Sequence, residues 1–365
     1  MNEKPEPGSS KFASVVDKPE TLPKSFSMTS KGLSRIAKEA GCSIPLVSMA
    51  LNNRGRVSPG TRKKIKEIAA RLGYVPNASA RSLVTKRTNI IGIIYFSDVH
   101  QLFSNMFFSV VLESFAKALD AHGYYLLVAR HSEIAGGGGT LPAFVLDGTV
   151  DGVALMGPFQ QDYLKKFQGR EIPAVLIDSK DTGHGFDSVI ADNVGGAAKA
   201  VSYLLQSGRK RILYVRAPGQ IPQYEDRYAG YLAAHREHGV KTSKSLCVEM
   251  EPSAIPTGLI SLVRHQKCDA VFCCNDLAAI ITVQHLREGG ISVPEQVSVV
   301  GFDDVEQARM CAPPLTTVSV PKEHMGRRSA ELLLHRLLNP GTPCRHEVLP
   351  VDLVLRESVC HPRTK

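Results

Sequence analysis

Apolar positions near the N-terminus fall into three short runs at helical spacing, and the period then changes. Leu33, Ile36, Ala37 and Ala40 recur at i, i+3, i+4 and i+7; Val47, Ala50 and Leu51 repeat the pattern, and Ile65, Ile68, Ala69 and Leu72 repeat it again. Gly41 separates the first two runs, where a tight turn needs a residue free to take positive φ. Ser43 suits the cap of the second helix with Pro45 in its first turn; Ser58-Pro59 opens the third and Gly73 closes it. Two helices joined by a Gly-bearing turn and buttressed by a third predict a helix-turn-helix.

From Asn89 onward strands and helices alternate. Ile90 to Phe96 is a continuous apolar run, Phe107 to His122 an amphipathic helix, and Tyr124–Ala129, Gly152–Leu155 and Ala174–Ile177 read as strands. A second series follows: helix Gly195–Ser207, strand Ile212–Val215, helix Arg227–His238, strand Ala270–Cys273, helix Leu277–Glu288, strand Val297–Gly301 and helix Lys322–Leu338. Continuous apolar strands with helical crossovers predict parallel sheets covered on both faces. The fold class is therefore an all-α helix-turn-helix headpiece plus an α/β core of two doubly wound parallel-sheet subdomains, with a cleft between them.

Charge sharpens this division. Between Met28 and Thr88 thirteen basic residues face two acids, giving +11 in a chain whose total is +9. A basic helix-turn-helix beside a slightly acidic α/β region is the footprint of a nucleic-acid reader joined to another module. Residues 1–27 are rich in Pro, Ser, Lys and Glu, and read as a disordered tail rather than a signal peptide. No apolar run is long enough to cross a membrane. The eight cysteines are scattered without a CxxC pair, which predicts reduced thiols and a cytoplasmic protein.

The runs Gly32-Leu33-Ser34-Arg35-Ile36-Ala37-Lys38-Glu39-Ala40-Gly41-Cys42-Ser43, Val47-Ser48-Met49-Ala50-Leu51-Asn52, Val57-Ser58-Pro59-Gly60-Thr61-Arg62 and Leu72-Gly73-Tyr74-Val75-Pro76-Asn77 resemble the headpiece of the lactose-repressor (LacI/GalR) family. Asp151-Gly152-Val153, Asp192-Asn193, Cys274-Asn275-Asp276, Val299-Val300-Gly301-Phe302-Asp303-Asp304, Pro313-Pro314-Leu315-Thr316-Thr317 and Leu355-Arg356-Glu357-Ser358 resemble that family's periplasmic-binding-protein-like core. The resemblance implies a headpiece at 28–75, a hinge helix and linker at 76–88, and an effector-binding and dimerisation core at 89–365. Its subdomains would comprise about 89–191 with 321–346, and about 192–320 with 347–365. The chain would cross between them near Asp192, Pro321 and Glu347.

The same resemblance places DNA contacts on Ser43, Ile44, Pro45, Ser48, Met49, Asn52 and Arg56. In the hinge it places them on Asn77, Ala80, Arg81 and Leu83, with Leu83 as a wedge between central base steps. Ile44, Pro45 and Met49 are apolar where many members carry polar readers; they suit thymine methyls but make no bidentate hydrogen bonds. Gly32 stands where the family has a threonine cap, and Leu46 replaces a common threonine. In the core, Asp178, Asn275 and Asp303 follow strands, Arg227 opens a helix, and Phe107 and Phe108 open the first core helix. Polar groups at the carboxyl ends of parallel strands suit a polar small molecule. The resemblance assigns these six positions to effector binding.

Catalysis finds no support: GxGxxG, P-loop, GxSxG and HExxH motifs are missing, and Gly136–Gly139 lacks the Lys-Ser/Thr of a phosphate loop. Twelve histidines and eight cysteines show no zinc spacing, so neither cofactor nor metal is expected. The expectation is a non-enzymatic, ligand-responsive transcription regulator that binds palindromic double-stranded DNA as a homodimer. It reads as a repressor of carbohydrate-utilisation genes released by a sugar. A corepressor-dependent regulator or an activator of the same family stays open. A solute-binding protein or an α/β enzyme without a DNA role is the distant alternative.

Overall fold

The computed structural model describes residues 29–53, 55–74, 87–96, 102, 105–131, 140–219, 221–250 and 255–360. The chain forms two compact units, Met1–Arg87 and Thr88–Lys365. The expected tail, the hinge positions Asn77, Ala80, Arg81 and Leu83, and the Gly136–Gly139 run lie outside the described residues.

In the first unit, helices α1 (Thr29–Ala40), α2 (Ile44–Leu51) and α3 (Pro59–Arg71) enclose a small core. Ile36, Val47, Ala50 and Ile65 are fully buried, with Ala37, Ala40, Ile68 and Ala69 around them. Each large aliphatic side chain removed from water contributes about 1.5–3 kcal/mol. Ser43 caps α2, its Oγ accepting from Leu46 N at 3.4 Å, and Ser58 caps α3 through Thr61 N at 3.2 Å. Gly32 departs from expectation. Because α1 begins at Thr29, Gly32 lies inside the helix rather than at its cap, and a Cβ there would come within 2.6 Å of the Tyr74 ring.

The second unit contains β1 (Ile90–Phe96), α4 (Met106–Asp120), β2 (Tyr125–His131), α5 (Ala143–Leu146), β3 (Gly152–Met156), α6 (Gln161–Lys165), β4 (Ala174–Ile177), β5 (Asp187–Ala191) and α7 (Asn193–Gln206). It continues with β6 (Ile212–Arg216), α8 (Pro222–Glu237), β7 (Cys247–Glu249), α9 (Ile255–His265), β8 (Ala270–Cys273), α10 (Asp276–Glu288), β9 (Ser298–Asp303), α11 (Glu306–Met310), β10 (Thr316–Ser319), α12 (Lys322–Leu338), β11 (His346–Leu349) and β12 (Asp352–Val354). One sheet has the order β11-β5-β4-β3-β1-β2 and the other β12-β10-β9-β8-β6-β7. Every pairing is parallel except β10 with β12.

Each sheet defines a subdomain, and the two use the same close-packing device. Glycine lets one helix backbone approach another: a Cβ at Gly326 of α12 would sit 2.2 Å from the Val111 carbonyl of α4. At Gly230 of α8 it would sit 2.2 Å from the Val194 carbonyl of α7. Asp151 fixes the start of the unit, accepting from Thr88 N and Oγ1 at 2.7 and 2.8 Å and from Asn89 N at 2.9 Å.

The chain passes between sheets at Asp192, at Val320–Pro321 and at Pro350–Val351. The last passage lies beyond the expected Glu347, because Glu347 pairs with Val189 and Leu349 with Ala191 in the first sheet. The periodicity also missed β5, β7, β10, β11, β12, α6, α9 and α11. Four of those strands have three or four residues, too few to establish a period, and β5 opens on a buried Asp187 neutralised by Arg336 at 2.8 Å.

Candidate nucleic-acid surface and ligand pocket

In the headpiece, Ser43, Ile44, Pro45, Met49, Asn52 and Arg56 are exposed and Ser48 is half-buried. Ile44 is 47% and Met49 38% exposed, on the side of α2 away from the Val47/Ala50 stripe. Asn52 Nδ2 donates to the Ser48 carbonyl at 2.9 Å. Part of the positive charge is structural: Arg62 Nη1 donates to the Ala50 carbonyl at 3.1 Å, Lys64 Nζ to the Ala40 carbonyl at 3.3 Å, and Arg71 pairs with Glu39. Arg62 and Lys64 thus neutralise the carbonyl ends of α2 and α1. Arg35, Lys38, Arg56, Lys63 and Lys66 remain exposed.

In the core, Phe107, Phe108, Asp178, Arg227, Asn275 and Asp303 all line one pocket. Arg227 is its centre. The helix bearing it starts at Pro222, five residues earlier than its pattern predicted, so Arg227 occupies the second turn and points inward. Its Nε donates to Asn193 Oδ1 at 2.8 Å, its Nη1 to the Cys274 carbonyl, and its Nη2 lies 3.4 Å from Asp303 Oδ1. The guanidinium lies 3.7 Å from the Phe302 ring centroid. One buried cation thus ties together the ends of β5, β8 and β9.

Asp178 and Asp303 hold positive φ, at 53° and 117°. Such backbone persists in non-glycine residues only where surrounding bonds over-determine it. Lys322, buried at the second passage between sheets, donates to the Asp303 and Asp304 carbonyls at 2.5 and 2.9 Å. Arg356 Nη2 meets Asp304 Oδ1 at 2.5 Å. Burial pushes the Asp178 carboxyl up to about 7, with Arg227 opposing the shift. Burial likewise raises Asp303 and Asp276, and the mutual repulsion of these two carboxylates raises Asp276 further.

Asn275 caps α10 through Ala278 N at 2.9 Å, and its Nδ2 donates to the Tyr224 hydroxyl at 3.3 Å. Asp276 is completely buried beneath, accepting from Thr317 Oγ1 and, at 2.9 Å, from Val305 N. Phe107 and Phe108 are 5% and 7% exposed and meet edge to face, so most of both rings is core. Asn105, Gln223 and Tyr224 line the pocket without having been singled out from the sequence. Asn105 carried a signal, a capping residue just before an apolar helix, and its Oδ1 accepts from Phe107 N and Phe108 N. Gln223 carried none: it crosses the cleft to donate to the Asp178 carbonyl. Beside it Lys180 and Asp226 pair at 2.5 Å. Asp178 Oδ1 and Gln223 Oε1 are buried in the pocket with no hydrogen-bond partner among the described residues.

Residues 33–77 match the bacterial regulatory proteins of the lacI family, and residues 201–359 match the periplasmic binding protein-like domain. The HTH-type transcriptional regulator CelR of Thermobifida fusca is 30% identical over 339 residues, covering 89% of this chain and 97% of that protein. The chain belongs to the lacI family. The ribose operon repressor of Haemophilus influenzae is also 30% identical, over 89% of this chain and 97% of its own. A structure of the CelR–cellobiose complex superposes with a TM-score of 0.66 at 28% identity, over 89% of this chain and 99% of that one. The lac repressor dimer bound to operator and an anti-inducer shares the fold, with a TM-score of 0.77 at 22% identity over 89% and 98%. This lacI-family member is therefore a ligand-responsive, DNA-binding transcription regulator and not an enzyme. Among the described residues no helix is long and apolar enough to cross a membrane, and no group of three His, Cys, Asp or Glu is placed to hold a metal ion.

Proposed function

We propose that this regulator is a repressor of carbohydrate-utilisation genes, bound as a homodimer to a palindromic operator and released by a sugar in the core pocket. One observation carries the effector assignment. Two buried oxygens, Asp178 Oδ1 and Gln223 Oε1, have no hydrogen-bond partner among the described residues, in a pocket that also holds Arg227, Asn275 and Asp303. A buried unsatisfied acceptor costs roughly 1–3 kcal/mol, which a hydroxyl-bearing ligand recovers. The CelR–cellobiose complex and the ribose operon repressor among the relatives support the same class.

On DNA, the N-terminal part of α2 enters the major groove. Ile44, Pro45 and Met49 contact thymine methyls; Ser43, Ser48, Asn52 and Arg56 serve phosphates and groove edges. In the hinge at 76–88, Asn77, Ala80, Arg81 and Leu83 enter the minor groove. The headpiece spans 28–75 and the core 89–365. Ligand in the cleft changes the angle between the subdomains and separates the paired hinges. Linkage makes this reciprocal: a sugar that weakens operator binding binds the operator complex more weakly.

The test is selection of bound duplexes from a random pool without ligand, followed by titration of the selected duplex complex with sugars. A palindrome released by a sugar supports the reading. A palindrome bound only with ligand present replaces release by corepression, and no enrichment under either condition overturns the DNA assignment.

A further inference from the structure

Lys322 stands in an unfavourable place for a lysine. It is the first residue of α12, where the helix dipole repels a cation, and it is buried. Three acceptors for three hydrogens hold it there: its Nζ donates to the Asp303, Asp304 and Val320 carbonyls at 2.5, 2.9 and 3.3 Å. The backbone of Lys322 and these acceptors belong to different parts of the core. Its helix is seated on α4 of the first subdomain, where Ser114 Oγ donates to the Glu323 carbonyl at 2.6 Å and Gly326 meets the Val111 carbonyl. Asp303 ends β9 in the second sheet, and Val320 lies in the passage between the sheets. The ammonium therefore ties the first subdomain to a strand end of the second.

That strand end is in the pocket. Asp303 and Asp304 hold φ of 117° and 55°, and the Asp303 carboxylate faces Arg227. A second cation holds the same turn from within the second subdomain: Arg356 Nη1 donates to the Leu315 carbonyl at 2.7 Å and its Nη2 to Asp304 Oδ1 at 2.5 Å. One turn thus has two clamps, and only Lys322 reaches across the subdomain boundary. We propose that Lys322 is a positioning residue that couples the setting of Asp303 in the pocket to the angle between the subdomains. A ligand that fixes Asp303 fixes the ammonium and the start of α12 with it, and a change of angle shifts Asp303 in return. This coupling rests on the effector reading of the pocket; its test needs no ligand, so the two fail separately.

The experiment is hydrogen–deuterium exchange of the full chain without ligand, in the wild type, Lys322→Met and Arg356→Met. Thermal unfolding checks the fold, and Lys322→Gln is the second substitution at that position. Removing either clamp is expected to speed exchange of amides 303–306 by at least about tenfold. Only the loss of Lys322 is expected to reach the far wall of the cleft, speeding amides 178–184 of the first subdomain by at least about threefold. There Gln223 donates to the Asp178 carbonyl and Asp226 pairs with Lys180, contacts that loosen when the angle is released. A lysine that serves only its own turn moves nothing there. Exchange that is unchanged, or raised only in 303–306 and 320–326, in both Lys322 variants overturns the coupling. So does equal exchange at 178–184 in Lys322→Met and Arg356→Met.

Discussion

The headpiece and the core pocket invert each other's chemistry. On the proposed reading surface of α2, Ile44 and Met49 expose apolar atoms, while in the pocket Arg227, Asp178 and Gln223 bury polar ones. Each inversion matches what the partner brings. A duplex supplies a polyanion and thymine methyls, so affinity comes from spread cations and apolar readers add discrimination. The proposed sugar brings only hydrogen-bonding groups and ring faces, so its site must hold polar groups in low dielectric, where each bond counts for more. The same difference governs tolerance to mutation: the exposed α2 residues proposed as readers are independent of one another, while the pocket groups form one network through Arg227.

The largest expected effect breaks the network. Arg227→Met leaves Asp303, Asn193 and the Cys274 carbonyl without their shared donor. A loss of about 3–5 kcal/mol in the coupled site follows, read as a loss of ligand response of more than about a hundredfold, with operator binding retained. Arg227→Lys is not expected to rescue it, because an ammonium cannot span three acceptors in a planar fork. Loss of operator binding along with ligand response would mean that the pocket and the reader are not separable. Next, Ile65→Ala empties the centre of a headpiece whose buried side chains are few and should cost about 2–5 kcal/mol. Operator binding should disappear while the core's thermal transition and ligand titration stay unchanged.

A smaller effect separates the regions by pH. The folded Asp178 carboxyl sits at about 7, above the ordinary carboxylate value of about 4. Between about pH 4 and 7 the folded core holds this proton and the unfolded chain does not, so stability from this group falls as pH rises through that window. Asp178→Asn should flatten the pH dependence of the core transition and leave that of the headpiece alone. An unchanged slope would refute the assignment. The smallest effects belong to the reading surface. Ile44→Ala and Met49→Ala should each weaken operator binding by about 1 kcal/mol at unchanged salt slope, whereas Arg56→Ala should reduce the slope by about one. A changed slope in the first two would place them near phosphates rather than thymines.

Legibility in the sequence follows the range of the interactions involved. The headpiece was readable because its caps, turns and core stripe act over three to seven residues, as Ser43 with Leu46 and Ser58 with Thr61 show. Strand-end residues Asp178, Asn275 and Asp303 were readable because a buried strand ends where polarity begins. Gln223 and Lys322 were not. Gln223 is an ordinary polar residue near a helix start until it meets Asp178 across the cleft. Lys322 is an ordinary lysine until its ammonium reaches the Asp303 and Asp304 carbonyls. The third passage between sheets was misplaced at Glu347 because β11 and β12 are short edge strands, and only pairing with β5 and β10 assigns them.

The sequence by itself determined the helix-turn-helix, the alternation that makes two parallel sheets, and the charge that marks a DNA reader, because periodicity, capping and net charge are local or additive. Only the tertiary structure decided that six scattered residues share one pocket and that Arg227 ties three strand ends together. The bonds of Arg227 alone join groups 34 to 76 residues apart, to Asn193 and to Asp303. Such pairs meet only after the sheets have formed, and no local spacing encodes which of them will.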